Sequence, residues 1–61
     1  MNRKAAISWA RAYIREADKL LYCAELNDTQ DQADTYIAAA TILVVKAASI
    51  MAPFAKKDSE T

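Results

Sequence analysis

Apolar side chains recur at helical spacing along two stretches of the chain, and a short polar segment separates them. The stretches, residues 3–26 and 30–52, keep apolar positions three, four and seven residues apart, which places them on one side of an α-helix. Between them lies Asn27-Asp28-Thr29, a cluster of turn-favouring residues. So short a loop returns the second helix antiparallel to the first. The sequence therefore predicts an all-α fold, an antiparallel two-helix hairpin that makes residues 1–61 a single domain.

Side chains at the predicted helix ends are typical of caps. Asn2 has the residue type of an N-cap for the first helix. Thr29, with Gln32 three residues later, has the spacing of a capping box for the second helix. Pro53 disfavours helical geometry at Ala52, so the second helix is expected to end or kink there. The polar residues 56–61 are expected to fray.

An alanine recurs every seven residues in both predicted helices. A heptad keeps one line of side chains facing a partner helix, and alanine in that line lets two backbones approach closely. Large apolar residues flank these alanines in both helices, so we interpret the pattern as a contact seam, although one sequence leaves open whether its rows meet within one hairpin or between two chains. The residues predicted for this dimer seam are Ala10, Ala17, Ala24, Ala33, Ala40, Ala47, Ile14, Leu21, Ile37, Leu43 and Val44.

The second helix carries a further apolar stripe on the side away from its alanines. We call Ala38, Ile42, Val45 and Ala52 the outer stripe. A helix that is apolar nearly all round is normally buried on more than one side, and a lone hairpin cannot do this. Chains this short usually need disulfides, a metal or a partner for stability. We therefore expect two hairpins to pair as a homodimeric four-helix bundle.

Composition excludes several classes of site. The 61 residues include no glycine, no histidine and one cysteine, Cys23, so the chain offers no glycine-rich phosphate loop, zinc set or internal disulfide. We predict no catalytic residues, no metal, no cofactor and no enzyme. A lone thiol fits a reducing compartment, and the cytoplasm is the expected location. Cys23 lacks the cationic surroundings of a reactive thiol and is expected to be a partly buried apolar residue.

A membrane-spanning helix is the alternative for the second apolar stretch. Residues 36–54 carry a single charge, Lys46, and are long enough to cross a bilayer. A charge near the middle of such a segment costs roughly 2.5–3.5 kcal/mol, and its many alanines offset little of that. A membrane or filament subunit built on the second helix is therefore kept as a weaker hypothesis.

Charge is patterned along the chain although the formal sum is zero. Residues 1–26 carry a net +2, residues 27–35 carry −3 and the remainder carries +1. In an antiparallel hairpin the basic termini lie at one end and the acidic loop at the other. Two hairpins packed head to tail would bring unlike ends together, which biases orientation more than stability.

The expected function is binding to another macromolecule. We predict a small regulator, adaptor or inhibitor, as compact proteins of bacteria, phages and plasmids often are, with a protein target and with aromatic anchors. RNA or DNA binding by the basic side of the first helix is not favoured, because Asp18 interrupts that side. The RNA-binding plasmid regulator Rop, a dimer of helical hairpins, is an analogy of architecture, which does not carry function. The predicted partner surface comprises Trp9, Arg11, Arg15, Tyr22, Ile42 and Val45.

Overall fold

Two long helices pack antiparallel in the computed structural model, which describes residues 2–55. Helix α1 spans Arg3–Leu26, helix α2 spans Gln30–Met51, and a short 3-10 helix, Ala52–Phe54, follows. No strand occurs within residues 2–55. The helical hairpin predicted from the apolar spacing and the short loop is confirmed, and the tail predicted to fray, residues 56–61, lies outside the described residues.

Helix α1 begins at the predicted cap. The side-chain oxygen Oδ1 of Asn2 accepts a hydrogen bond from the backbone N–H of Ala5 at 2.7 Å. This bond satisfies one of the amides that the first turn of a helix leaves free. The capping box predicted for α2 is wrong, because the Thr29 side chain makes no capping hydrogen bond. Thr29 is exposed, so water reaches the amides of that turn.

Asn27 closes α1 without a glycine. Its side-chain Nδ2 donates to the carbonyl of Cys23 at 3.1 Å, and its backbone N–H donates to the carbonyl of Ala24 at 3.3 Å. Both carbonyls belong to the last turn, where a helix leaves its acceptors free. Asn27 itself has extended backbone angles, and no residue of the described segment has a positive φ. The sequence placed Asn27 in the loop and missed this capping role.

Pro53 changes the type of helix at the end of α2. Helix α2 ends at Met51, so the predicted end of the helix before Pro53 is confirmed. Ala52 nevertheless keeps right-handed helical angles, with φ −52° and ψ −45°, so the expected loss of helical geometry at this residue is wrong. Pro53 instead sits in the first turn of the 3-10 helix. A proline is tolerated there because its missing N–H would have no partner in a first turn.

The core of the hairpin is made of alanine. The buried apolar side chains are Ala6, Ala10, Ala17, Ala40 and Ala47, and no large side chain within residues 2–55 is fully buried. Ala24 and Ala33 are half-buried at the loop end of the same line. The structure therefore resolves the alternative that the sequence left open, because the alanine rows meet between the two helices of one chain.

The hairpin is a single layer of two helices. Its Cα atoms extend over 44 × 23 × 12 Å, and apart from the short 3-10 helix the described residues form no third element. Within residues 2–55 no layer of helices lies behind the seam. The side chains that flank the seam therefore form the two broad faces of the hairpin, and no further helix of the described residues covers them.

Candidate interaction surfaces

Apolar side chains line both broad faces of the hairpin, and they are more exposed on one face than on the other. On one, Tyr13 and Leu20 of α1 lie beside Tyr36, Leu43 and Ile50 of α2, and all five side chains are half-buried. On the other, five large aliphatic side chains are between 41% and 46% exposed, and Met51 is half-buried. We call this second set the apolar face; its residues are Ile7, Ile14, Leu21, Ile37, Val44 and Met51.

Helical geometry explains why these six residues share one face. Each lies four residues after, or three before, an alanine of the seam, which places it on one flank of its helix. Two antiparallel helices in contact are related by an approximate two-fold axis perpendicular to both, so equivalent flanks fall on the same side. The contacts agree with this, because Ile7, Ile14 and Met51 line one open groove of about 370 Å³.

Two features shared by the helices indicate their register. Ile7 and Met51 line that groove from opposite helices, and on the opposite face the Lys46 Nζ lies 5.7 Å from the centre of the Tyr13 ring. Residues whose numbers sum to about 58 are therefore level with one another. The apolar face consequently contains three layers, formed by the pairs Ile7 and Met51, Ile14 and Val44, and Leu21 and Ile37.

The borders of the apolar face carry different charge. Along α1 the border residues are Lys4, Arg11, Asp18 and Glu25, seven residues apart and all exposed. Their sign changes halfway, from positive near the N-terminus to negative near the loop. Along α2 the corresponding residues are Asp34, Thr41 and Ala48. All three are small, and only Asp34 is charged. The basic row that would suit nucleic acid therefore turns acidic along the same helix.

An aromatic pair and a lysine occupy the opposite face. Trp9 is 54% exposed, and its ring centre lies 6.3 Å from that of Tyr13 at a tilt of 35°. The Lys46 ammonium approaches the same tyrosine ring, a favourable contact between a cation and an aromatic face. This contact gives the one charge in the middle of α2 a partner without burying it.

The residues predicted as a partner surface do not form one continuous patch. Arg11 and Arg15 line the groove at the edge of the apolar face, whereas Trp9 lies near the opposite face beside Tyr13. Tyr22 is 60% exposed on the outer side of α1. Ile42 and Val45 are exposed on the outer side of α2. The hairpin thus separates the predicted set into four locations.

Polar chemistry is sparse in the part of the chain that the structure describes. Glu16 and Lys19 approach to 4.0 Å on the exposed side of α1, where such a pair adds little stability. Within residues 2–55 no group of three or more metal-ligating side chains comes together. The Cys23 thiol is free and half-buried.

Helix α2 is also apolar enough to be considered as a membrane span. By length and composition the segment Gln30–Phe54 qualifies, with a mean hydropathy of 1.9 over its best window. Only 11% of that window is buried in the hairpin, unlike the core helix of a soluble protein, which is mostly covered. The outer stripe accounts for part of this exposed apolar surface.

Comparison of the chain with models of protein families, with curated proteins and with solved structures finds no match. The functional argument therefore rests on the surfaces of the hairpin: the apolar face, the aromatic pair and the outer stripe.

Proposed function

We propose that the protein is a small non-enzymatic regulator, adaptor or inhibitor that acts by protein–protein interaction as a homodimer of hairpins, a four-helix bundle. The observation that supports this is the contrast between an alanine core and an exposed aliphatic face. Burying one methylene is worth about 0.8 kcal/mol and burying a whole large aliphatic side chain about 1.5–3 kcal/mol. The five aliphatic side chains of the apolar face are 41–46% exposed, so close to half of the free energy available from burying them is still unused in a single chain.

A dimer formed through one broad face leaves other surfaces free for a target. Trp9 lies away from the apolar face and half of its surface is exposed. Tryptophan is enriched among the residues that dominate protein interfaces, because it buries a large rigid area. We assign Trp9 as the anchor for a protein target in the cytoplasm, with Tyr22 and the outer stripe as further contact surfaces.

The proposal is tested first by the mass in solution. Sedimentation equilibrium at micromolar concentration is expected to give twice the chain mass of 6.7 kDa. A folded monomer throughout the micromolar range would refute the homodimer. Target binding is tested by affinity capture with wild type, Trp9→Ala and the exposed control Lys19→Ala. We expect Trp9→Ala alone to lose the captured protein, and equal capture by all three would refute Trp9 as the anchor.

A second candidate function is a subunit anchored in a membrane through α2. The observation that favours it is the low coverage of the apolar window over Gln30–Phe54. Against it stands Lys46, whose charge near the centre costs roughly 2.5–3.5 kcal/mol on insertion. Flotation with phosphatidylcholine vesicles separates the two candidates. A membrane subunit floats with the vesicles and needs detergent, whereas the proposed dimer stays in the aqueous fraction.

A further inference from the structure

The dimer proposed above has one favoured orientation. Resting on that proposed function, we propose that a second copy of the chain docks on the apolar face head to tail, so that α1 of one protomer lies antiparallel to α1 of its partner. The two loops are then at opposite ends of the bundle, and α2 pairs with α2 in the same way. Area, layer register and border charge each support this arrangement.

The area of the broad face matches what a stable dimer needs. The rectangle that bounds the broad face, 44 × 23 Å, is about 1,000 Å² in projection, so two such faces offer at most about 2,000 Å² in total, enough to include a standard protein interface. The opposite face is a poorer candidate. Apart from Trp9 at its border, its large side chains are already half-buried, and the charged groups of Glu16 and Lys46 lie along it.

The three layers of the apolar face permit a two-fold axis through their centre. Ile14 and Val44 form the middle layer, so an axis passing through that layer brings each onto its own copy in the partner. The outer layer of Ile7 and Met51 then meets the partner's opposite outer layer, which is formed by Leu21 and Ile37. Both α1 pairs and α2 pairs are thus in register about a single axis, as an isologous dimer requires.

The charged border of α1 is complementary to itself when reversed. In the antiparallel arrangement Lys4 faces Glu25 of the partner subunit, and Arg11 faces Asp18 of the partner subunit. Symmetry makes each pair twice, so four attractive contacts flank the helix pair. Charged residues beside a helix–helix contact commonly set partner orientation in this way. Along α2 the small Thr41 and Ala48 let the second pair of helices approach.

The other face-to-face arrangement lacks this complementarity. With both loops at the same end, α1 lies against α2 of the partner subunit. Glu25 then faces Asp34 of the partner subunit, which is repulsive, while Arg11 faces Ala48 of the partner subunit, which is neutral. The two arrangements bury the same aliphatic side chains, so the border charges decide between them.

The test is a charge exchange on this border. In Arg11→Glu the substituted residue faces Asp18 of the partner subunit twice per dimer, and in Asp18→Arg it faces Arg11 of the partner subunit twice. We expect each to raise the dimer dissociation constant roughly tenfold, or about 1.4 kcal/mol, by sedimentation at low salt. The double variant R11E/D18R restores opposite signs and should return the dissociation constant to within about threefold of wild type. Lys19→Glu reverses a charge on the other side of α1 and is the matched control.

The outcomes separate the orientation from the dimer itself. Weakening by both single variants, recovery in the double variant and no effect of Lys19→Glu support the head-to-tail arrangement. If wild type is a dimer but the single variants are neutral, or the double variant does not recover, the orientation is overturned while the dimer stands. A monomeric wild type overturns both proposals. Far-UV circular dichroism is the control for folding, and every variant is expected to keep its helices because all substituted residues are exposed.

Discussion

Enlarging one alanine of the seam is the most direct test of how the helices meet. Ala17 and Ala40 are each 2% exposed and are level with one another in the hairpin. Ala17→Leu adds three carbon atoms to this contact. If there were room, burying them would contribute about 0.8 kcal/mol each. Because the methyl groups are already covered on all sides, the larger side chain must push the helices apart.

Overpacking of a well-filled site typically destabilises a protein by about 1–3 kcal/mol. We expect Ala17→Leu to lower the free energy of unfolding by about 2 kcal/mol, a large loss for a core of this size, which rarely supplies more than about 3–5 kcal/mol. The assay is urea unfolding followed by far-UV circular dichroism. Every variant is compared at the same protomer concentration, because dimer stability depends on concentration.

Ala12→Leu is the matched control, since Ala12 is exposed on the same helix and the two residues have similar helix propensities. Its free energy of unfolding should stay within about 0.5 kcal/mol of wild type. The reasoning is refuted if Ala17→Leu is as stable as wild type or more so. Equal losses in the two variants would show that the alanine seam is not where the helices approach each other.

Four further substitutions test the caps and the central lysine. Asn2→Ala removes the side-chain hydrogen bond to the Ala5 N–H and should lower the free energy of unfolding by about 1 kcal/mol. Thr29→Ala removes no capping bond and should change the free energy of unfolding by less than about 0.5 kcal/mol. Equal effects of the two substitutions would contradict the caps described. Asn27→Ala deletes the side-chain bond to the Cys23 carbonyl and should lower the same quantity by about 1 kcal/mol in urea unfolding; an unchanged midpoint would show that water replaces it. Lys46→Leu removes the charge from α2 and should increase the fraction that floats with phosphatidylcholine vesicles, because insertion becomes easier by roughly 3 kcal/mol; unchanged flotation would show that this charge does not oppose insertion.

The sequence reveals the hairpin and the alanine seam because both depend on local spacing. A period of seven with alanine at one position specifies a close helix contact whatever surrounds it. The same sequence does not reveal which flank of the seam is covered. Rows such as Ile7, Ile14 and Leu21 on one side and Ala6, Tyr13 and Leu20 on the other are equally apolar. A small rotation of both helices about their axes decides which row is covered.

The helix ends show a similar division. The cap at Asn2 was predictable because the free backbone N–H groups of the first turn of α1 lie directly beside its side-chain oxygen. Asn27 was not, because asparagine favours both turns and caps, and only the position of its Nδ2 distinguishes them. The partner surface was the least predictable feature. Whether Trp9, Arg15 and Val45 lie together depends on how each helix is rotated about its own axis. In the hairpin these three residues lie on different sides.

The alanine core has a consequence for how such a molecule can change over time. The closest contacts between the two helices use side chains of one carbon, while the most exposed large side chains, Trp9, Tyr22, Leu26, Ile42 and Val45, lie away from them. Substitutions among these exposed residues therefore alter what the molecule recognises without rebuilding its scaffold. Binding specificity is free to drift, or to be redesigned, as long as the small residues between the helices stay small.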